Sequence, residues 1–118
     1  MSNLMEVRGV SESRDHDAMT YGWFEVLATW HARMHGLLGP RARGRPVLLE
    51  RCRSIHTFGM RYAIDVALVA ADGRVLQSVR GLGRGCLLAC EQASYVLERP
   101  AARSPWPVEG ERLVLVAV

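Results

Sequence analysis

The chain of 118 residues has the length of one domain, and a domain of this size buries enough surface to fold without disulfides or a structural metal. Its 49% apolar and 23% charged residues are ordinary globular values, which exclude a wholly disordered chain. The net charge is +3, and all fifteen basic residues are arginine.

Basic charge is concentrated in the middle of the chain. Residues 1–30 contain two arginines and five acidic residues, whereas residues 31–61 contain seven arginines and one acidic residue, Glu50. This excess favours an anionic partner, although an arginine-rich loop that simply faces water is the more frequent cause of such a pattern.

Export and membrane insertion are not expected. No apolar run suited to a signal peptide follows Met1, and no stretch approaches the roughly 20 apolar residues of a membrane span. We therefore expect a soluble, cytoplasmic protein whose three cysteines, Cys52, Cys86 and Cys90, are reduced thiols.

The first part of the chain predicts a mobile segment, a strand and a helix. Residues 1–20, with SESRDHD at their centre, are polar and acidic, so we expect a mobile N-terminal segment before a single domain over residues 21–118. Residues 23–28 are short, apolar and aromatic, as in a strand. A helix should then run from an N-cap at Thr29 to Gly39-Pro40. Its apolar face consists of Trp30, Met34, Leu37 and Leu38.

The rest of the chain predicts strands separated by turns. The arginine-rich residues 41–45 should form an exposed loop, and Asp72-Gly73 between two apolar segments indicates a hairpin. Residues 86–90 suit either a strand or a helical turn, and the proline-rich residues 100–107 are irregular. Besides the central run, strands are expected over residues 47–50, 74–80, 93–98 and 113–118.

The central run, residues 54–70 with the sequence SIHTFGMRYAIDVALVA, predicts an interior strand because both of its faces are largely apolar. Asp65 is the exception, and a buried carboxylate must be paired or hydrogen-bonded. Arg61 is the nearest candidate partner in sequence, but the pair would need a bend between the two residues. Backbone donors or an arginine from another strand are the alternatives.

Together these elements predict an α+β fold. We expect a β-dominated small domain with a strongly curved or barrel-like sheet and one N-terminal helix, which packs through Trp30, Met34 and Leu37.

Metal and nucleotide motifs are incomplete. Four cysteine and histidine residues could suit zinc, but residues four apart on a strand lie about 13 Å from each other, so both pairs would need tight turns. These residues are Cys52, His56, Cys86 and Cys90. The glycine-rich residues 81–85 are followed by Cys86, where a dinucleotide loop requires glycine. We expect neither a metal nor a cofactor.

His31 and His35 have the spacing of a metal-binding helix face. Ala32 stands where a metalloprotease needs its glutamate, so this chemistry is not expected. Solvent-facing histidines are the simpler interpretation.

The sequence favours a non-catalytic binding or accessory module, because a cationic patch requires only proximity. The candidate binding residues are Arg53, His56, Thr57, Arg61 and Asp65. We expect an anionic small ligand or a protein partner, and the sequence does not address the oligomeric state. Nucleic acid is not favoured, since the nearby aromatic residues, Phe58 and Tyr62, suit the core equally well.

An alternative is a small hydrolytic or metal-dependent enzyme that uses His56 and Asp65, with or without Cys52 and Cys90. Such a site is defined by the geometry of its groups, which the sequence does not supply.

The segment SIHTFGMRYAIDV, followed by ADGRV, resembles the prokaryotic family known as domain of unknown function 192, an uncharacterised protein family. The resemblance extends from about Thr29 to Val116 and includes RMHGLLG, YVLERP and GERL. It implies a small β-dominated α+β domain with one N-terminal helix and no established activity. The matching positions are His56, Thr57, Met60, Arg61, Ile64 and Asp65, with Gly36 and Leu37 at the helix end.

This chain departs from the family pattern at three places. Ala63 stands where proline is usual, SPWP replaces a short helical piece after Glu98, and Glu111 stands at the position of a frequent aspartate. The departures concern the surface near the C-terminus more than the fold.

Overall fold

The computed structural model of the protein describes residues 3–10, 19–28 and 44–118. In these residues the chain forms nine strands and no helix. In chain order the strands are β1 (Leu4–Gly9), β2 (Thr20–Ala28), β3 (Val47–Glu50), β4 (Ser54–His56), β5 (Ile64–Ala70), β6 (Val75–Leu82), β7 (Leu87–Ala89), β8 (Ala93–Pro100) and β9 (Leu113–Ala117).

Seven strands form one sheet in the order β6-β5-β8-β3-β2-β1-β9. Strands β2 and β3 run parallel, and the other neighbours in this sheet are antiparallel. The two remaining strands, β4 and β7, form a separate antiparallel ribbon.

The large sheet curls into a partial barrel, because its two edge strands meet at one end. The amide of Leu113 donates to the carbonyl of Gly73 at 2.7 Å, and the amide of Val75 donates to the carbonyl of Glu111 at 2.8 Å. Gly73 has a φ of 92°, and a Cβ there would collide with the carbonyl oxygen of Leu113. Glycine is therefore required at this closure.

The predicted α+β class is wrong for the part of the chain that the structure describes, because every regular element there is a strand. The physical reason is that continuous β-branched and aliphatic runs pair edge to edge and leave both faces of the sheet for packing. The predicted N-terminal helix, with Trp30, Met34 and Leu37, falls on residues 29–43, outside the described residues.

The sheet separates two hydrophobic cores, and β5 contributes to both. Ala67 and Val69 face the concave side, whereas Val66 and Leu68 face the opposite side, as period two requires. The inner core contains Val7, Phe24, Leu48, Ala67, Val69, Val75, Tyr95, Leu97, Trp106 and Leu113. The outer core contains Val47, Leu49, Cys52, Ile55, Met60, Ile64, Val66, Leu68, Ala93 and Val96.

The β4–β7 ribbon covers the outer core. Ile55 of β4 is buried, and its partner Leu88 on β7 packs against the same cluster. The opposite side of the ribbon faces solvent, and Leu87 is 66% exposed there. One face of the ribbon is therefore apolar and packs on the sheet, and its opposite face is exposed to water.

The N-terminal part of the chain contains an internal strand of the sheet. Leu4–Gly9 lie between β2 and β9, and Val7 is fully buried. The expectation of a mobile segment over residues 1–20 does not hold for this strand. The polar residues around β1 make its short apolar alternation hard to recognise in the sequence. Pairing with β2 and β9 stabilises the strand.

The predicted hairpin is confirmed between β5 and β6. The amide of Ala70 donates to the carbonyl of Arg74, and Asp72 Oδ1 accepts from the amide of Arg74 at 3.0 Å. In the described ranges, the chain has no helix with the length and apolar character that a membrane crossing requires.

Candidate functional site

Asp65 is buried on β5, directly opposite Arg99 of β8, and is 1% exposed. Its Oδ2 accepts from Arg99 Nε at 2.9 Å and from the amide of Ala102 at 3.1 Å, while Oδ1 accepts from the amide of Gly81 at 2.9 Å. An arginine from another strand is thus the partner of this carboxylate. Both of its oxygens are engaged inside the protein.

Arg99 is held by a second set of contacts on its far side. Its Nη1 and Nη2 donate to Oγ and to the carbonyl of Ser104 at 2.9 and 2.7 Å. The guanidinium lies over the ring of Trp106, 4.6 Å from the centroid, and Trp106 Nε1 donates to the carbonyl of Val66. The pair is therefore a structural anchor that ties the residues after β8 to the middle of the sheet.

Thr57 is fully buried and fastens two loops together. Its hydroxyl donates to the carbonyl of Gly83 at 2.7 Å and accepts from the amide of Cys86 at 2.8 Å. Its carbonyl accepts from the amide of Met60, which closes a turn over residues 57–60. This threonine positions the exposed side chains on either side of it.

An aromatic side chain lies at the tip of that turn. Phe58 is 58% exposed, and its ring packs against the ring of His56 with centroids 5.2 Å apart and planes inclined by 31°. His56 is paired with Leu87 across the ribbon, so the two share its solvent side. Two rings and one aliphatic side chain thus form an apolar patch on the surface.

Three exposed arginines lie close to these residues in the chain: Arg53 precedes β4, Arg61 follows the turn over residues 57–60, and Arg84 lies in the loop between β6 and β7. None of them forms an ion pair with a carboxylate within the described part of the chain. Together with His56, Phe58 and Leu87 they make up what we call the ribbon surface. Unpaired guanidinium groups beside a flat aromatic patch suit an anionic partner.

The predicted binding residues fall into two groups. His56, Arg61 and Arg53, which precedes β4, belong to the ribbon surface. Thr57 lies buried beneath it and is hydrogen-bonded to the carbonyl of Gly83. Asp65 is not part of it, because its carboxylate faces Arg99 in the interior. The enzyme alternative pairs His56 with Asp65, and a substrate at the surface could not reach the buried carboxylate of Asp65.

The cysteines do not assemble a metal centre in the part of the chain that the structure covers, where no three His, Cys, Asp or Glu side chains converge. Cys52, Cys86 and Cys90 form no disulfide. The thiol of Cys52 donates to the carbonyl of Ser54, and that of Cys90 donates to Oε1 of Gln92. The pair His31 and His35 lies outside the described residues.

The structure describes only part of the basic region over residues 31–61. Arg33, Arg41 and Arg43 lie outside the described residues. Arg45 Nη2 lies 3.6 Å from Oε2 of Glu25 on β2, and this carboxylate offsets the charge of the arginine. The remaining arginines of this stretch, Arg51, Arg53 and Arg61, are exposed, and the last two belong to the ribbon surface.

Sequence reasoning missed four residues that matter here: Phe58, Arg84, Leu87 and Arg99. Gly59 after Phe58 is a turn signal that could have placed the ring at the surface. Alternation in residues 86–90 could have separated Leu87 from Leu88. No local signal identifies Arg99, which lies 34 residues after Asp65 in the chain.

No family model and no curated protein matches the sequence. Two solved structures share the fold. A Sinorhizobium meliloti 1021 protein, provisionally assigned as a transcription regulator, has a TM-score of 0.67 and 19% identity over 95% of this chain and 93% of that one. A Novosphingobium aromaticivorans DSM 12444 protein of unknown function has a TM-score of 0.61 and 15% identity over 92% and 83%. At these identities the likeness shows the fold alone.

Proposed function

We propose that the protein is a non-catalytic binding module whose ribbon surface takes an anionic ligand or an acidic segment of a protein partner. This proposal is carried by three exposed arginines, Arg53, Arg61 and Arg84, that form no ion pair with a carboxylate among the described residues and that lie in the segments around the packed rings of His56 and Phe58. Exposed arginines bind carboxylate and phosphate groups through paired N–H donors.

A binding role is supported by how the other polar groups nearby are used. Thr57 and Asp65, the two remaining candidate residues, have their side chains occupied by internal hydrogen bonds. Thr57 connects the loops beside the ribbon surface, Asp65 anchors the residues after β8, and neither side chain offers a group to a reacting atom. The proposal therefore rests on charge and shape, which suits recognition better than chemistry.

The direct test is a titration with inorganic pyrophosphate and with a short polyglutamate peptide, followed by amide chemical shifts. We expect shifts centred on Arg53, His56 and Arg61, and a weaker response in the variant Arg61→Ala. The matched control is Arg103→Ala, since Arg103 is an equally exposed arginine outside the ribbon surface. If neither probe shifts these amides below about 1 mM, the affinity is too weak for specific recognition and the proposal fails.

Single-stranded nucleic acid is a second candidate, and the exposure of Phe58 favours it. An aromatic ring beside arginines is the arrangement on which bases stack. Three phosphate contacts would give a slope of log K against log salt of roughly −2.

The two candidates separate in one variant. Phe58→Ala should weaken the binding of an oligothymidylate of about ten nucleotides by roughly 1–3 kcal/mol, because the stacking of a base on the ring is lost. It should leave pyrophosphate binding unchanged, because the arginines remain. Equal weakening of both probes would argue against stacking and for a general disturbance of the ribbon.

Two further expectations stand as proposals. We infer membership of the domain of unknown function 192 family from the segment around His56 and Asp65, and we propose a cytoplasmic location. Extraction of the native protein from fractionated cells would test the location.

A further inference from the structure

Strand β9 lies at one edge of the large sheet, and its residues alternate in the direction of their backbone groups. The carbonyl of Arg112 accepts from Val10 on the side of β1, whereas the amide of the next residue, Leu113, donates to Gly73 on the opposite side. By this alternation the backbone groups of Leu115 and Ala117 also point away from β1. They form no hydrogen bond with any other residue that the structure describes.

The other edge strand, β6, is covered by the protein's own chain. Val75 exchanges two backbone hydrogen bonds with residues 110–111, at 2.8 and 2.9 Å. Further along β6, the side chains of Ser78 and Arg80 donate to carbonyls within residues 102–107. The fold thus protects one edge of the sheet and leaves the β9 edge open across the described residues.

Strand β9 also lacks the features that normally block pairing at an edge. Its sequence, LVLVA, contains no charged residue and no proline, and its register with β1 is regular. Val114 is 46% exposed and Val118 is 69% exposed, and by the two-residue period both lie on the same face as Val116. An open, regular and apolar edge is a template for a further strand.

We propose that a second copy of the chain pairs with this edge, β9 against β9 in antiparallel orientation, around a two-fold axis at Val116. In this register Leu115 of one copy faces Ala117 of the other, and their free amides and carbonyls form about four hydrogen bonds between the copies. Val114 of one copy faces Val118 of the other, so the exposed valines cover each other.

The choice of a second copy and of this axis follows from the strand itself. An identical strand brings no charged residue opposite another within residues 113–118. A two-fold axis at Leu115 would place the second strand against Gly73, which already occupies the edge beside Leu113. Pairing uses the open edge of both copies, so the assembly closes as a dimer. The inference is independent of the ribbon surface and of the function proposed for it.

The first test is sedimentation equilibrium of the full chain from about 10 µM to 1 mM. One strand of five residues buries less than the roughly 800 Å² per partner of a standard interface, so we expect a weak dimer with a Kd of about 0.5 mM or tighter. At high protein concentration the amides of Leu115 and Ala117 should exchange hydrogen more slowly. The amides of Val114 and Val116 should change little, because they already face β1.

Two double variants that differ only at position 118 test the register. In Val114→Glu with Val118→Glu, like charges face each other twice across the axis, whereas Val114→Glu with Val118→Arg places opposite charges there. Within one copy the two positions are about 13 Å apart along the strand, so the monomers should be similarly stable. We expect the first variant to dimerise at least about tenfold more weakly than the second at low salt.

The variant Ala117→Pro removes an amide that faces the second copy and no amide that bonds to β1. It should abolish the dimer while leaving the midpoint of thermal unfolding nearly unchanged. Val108→Glu is the control, because Val108 is an equally exposed valine, 64%, that lies outside β9. It should leave dimerisation unchanged.

Four results would overturn the proposal: a monomer alone at about 1 mM, a concentration above the expected Kd; assemblies larger than a dimer; equal dimerisation of the two charged variants; or full dimerisation of a folded Ala117→Pro.

Discussion

Replacing Arg99 with methionine tests the anchor inside the sheet. Arg99→Met keeps the length of the side chain but leaves the carboxylate of Asp65, 1% exposed, with two backbone amides and no positive charge. Breaking a buried ion pair on one side costs about 3–5 kcal/mol. The contact of the guanidinium with Trp106 adds about 1 kcal/mol.

This loss is a large part of the total stability of a small domain, which is about 5–15 kcal/mol. We expect Arg99→Met to lower the midpoint of thermal unfolding by roughly 10–20 °C. Urea denaturation followed by tryptophan fluorescence measures the same change, because Trp106 is buried against the pair.

The matched control is Arg61→Met. Arg61 is the arginine nearest to Asp65 in sequence, yet it is exposed and makes no ion pair in the described part of the chain. Its replacement should change the free energy of unfolding by no more than about 0.5 kcal/mol. A double variant, Asp65→Asn with Arg99→Met, should recover part of the loss because no buried charge remains.

The reasoning is refuted if Arg99→Met costs less than about 1 kcal/mol, or if Arg61→Met costs as much as Arg99→Met. Either result would mean that water reaches Asp65 or that another group neutralises it.

Three further predictions concern stability. Gly73→Ala should destabilise the closure of the sheet by about 2 kcal/mol or more, because of its positive φ and the collision of a Cβ with a carbonyl, whereas Gly83→Ala, which meets nothing within 4 Å, should be nearly neutral in urea denaturation. Thr57→Val should cost about 1–3 kcal/mol, because the part-buried amide of Cys86 and carbonyl of Gly83 lose their partner, while Thr57→Ser keeps both bonds and should cost less; equal losses would show that the methyl group matters instead. Burial raises the pKa of Tyr95 to about 12, and burial together with Glu111 raises the pKa of Tyr21. The folded state therefore favours the neutral form of both tyrosines. Their contribution to the free energy of unfolding is complete below about pH 10 and is lost as the pH rises towards 12. Unfolding measured from pH 8 to 12 should show this decline, and it should be shallower in Tyr21→Phe.

Much of the strand pattern could be predicted because it is local. Strand β3 has the predicted bounds, and β6, β8 and β9 differ from prediction by one or two residues at their ends. The Asp72-Gly73 hairpin depends on two neighbouring residues whose preferred conformations match the turn. The period of two residues along a strand also accounts for the two faces of β5, with Val66 and Leu68 on one face and Ala67 and Val69 on the other.

The N-terminal strand could not be predicted in the same way. Leu4–Gly9 contain Glu6 and Arg8, whose charges face outward and break the apolar run. The strand exists because β2 and β9 pair with it on both sides, and these partners come from opposite ends of the chain. Local composition carries no record of such partners.

By itself the sequence determined that Asp65 would be buried and would need a partner, since an aliphatic strand surrounds it. Only the tertiary structure decided that the partner is Arg99, because the register between β5 and β8 places these two residues opposite each other. It likewise decided that Phe58 faces water beside His56. Burial tendency is a property of a segment, whereas the choice of neighbour depends on how distant strands align, which no local pattern specifies.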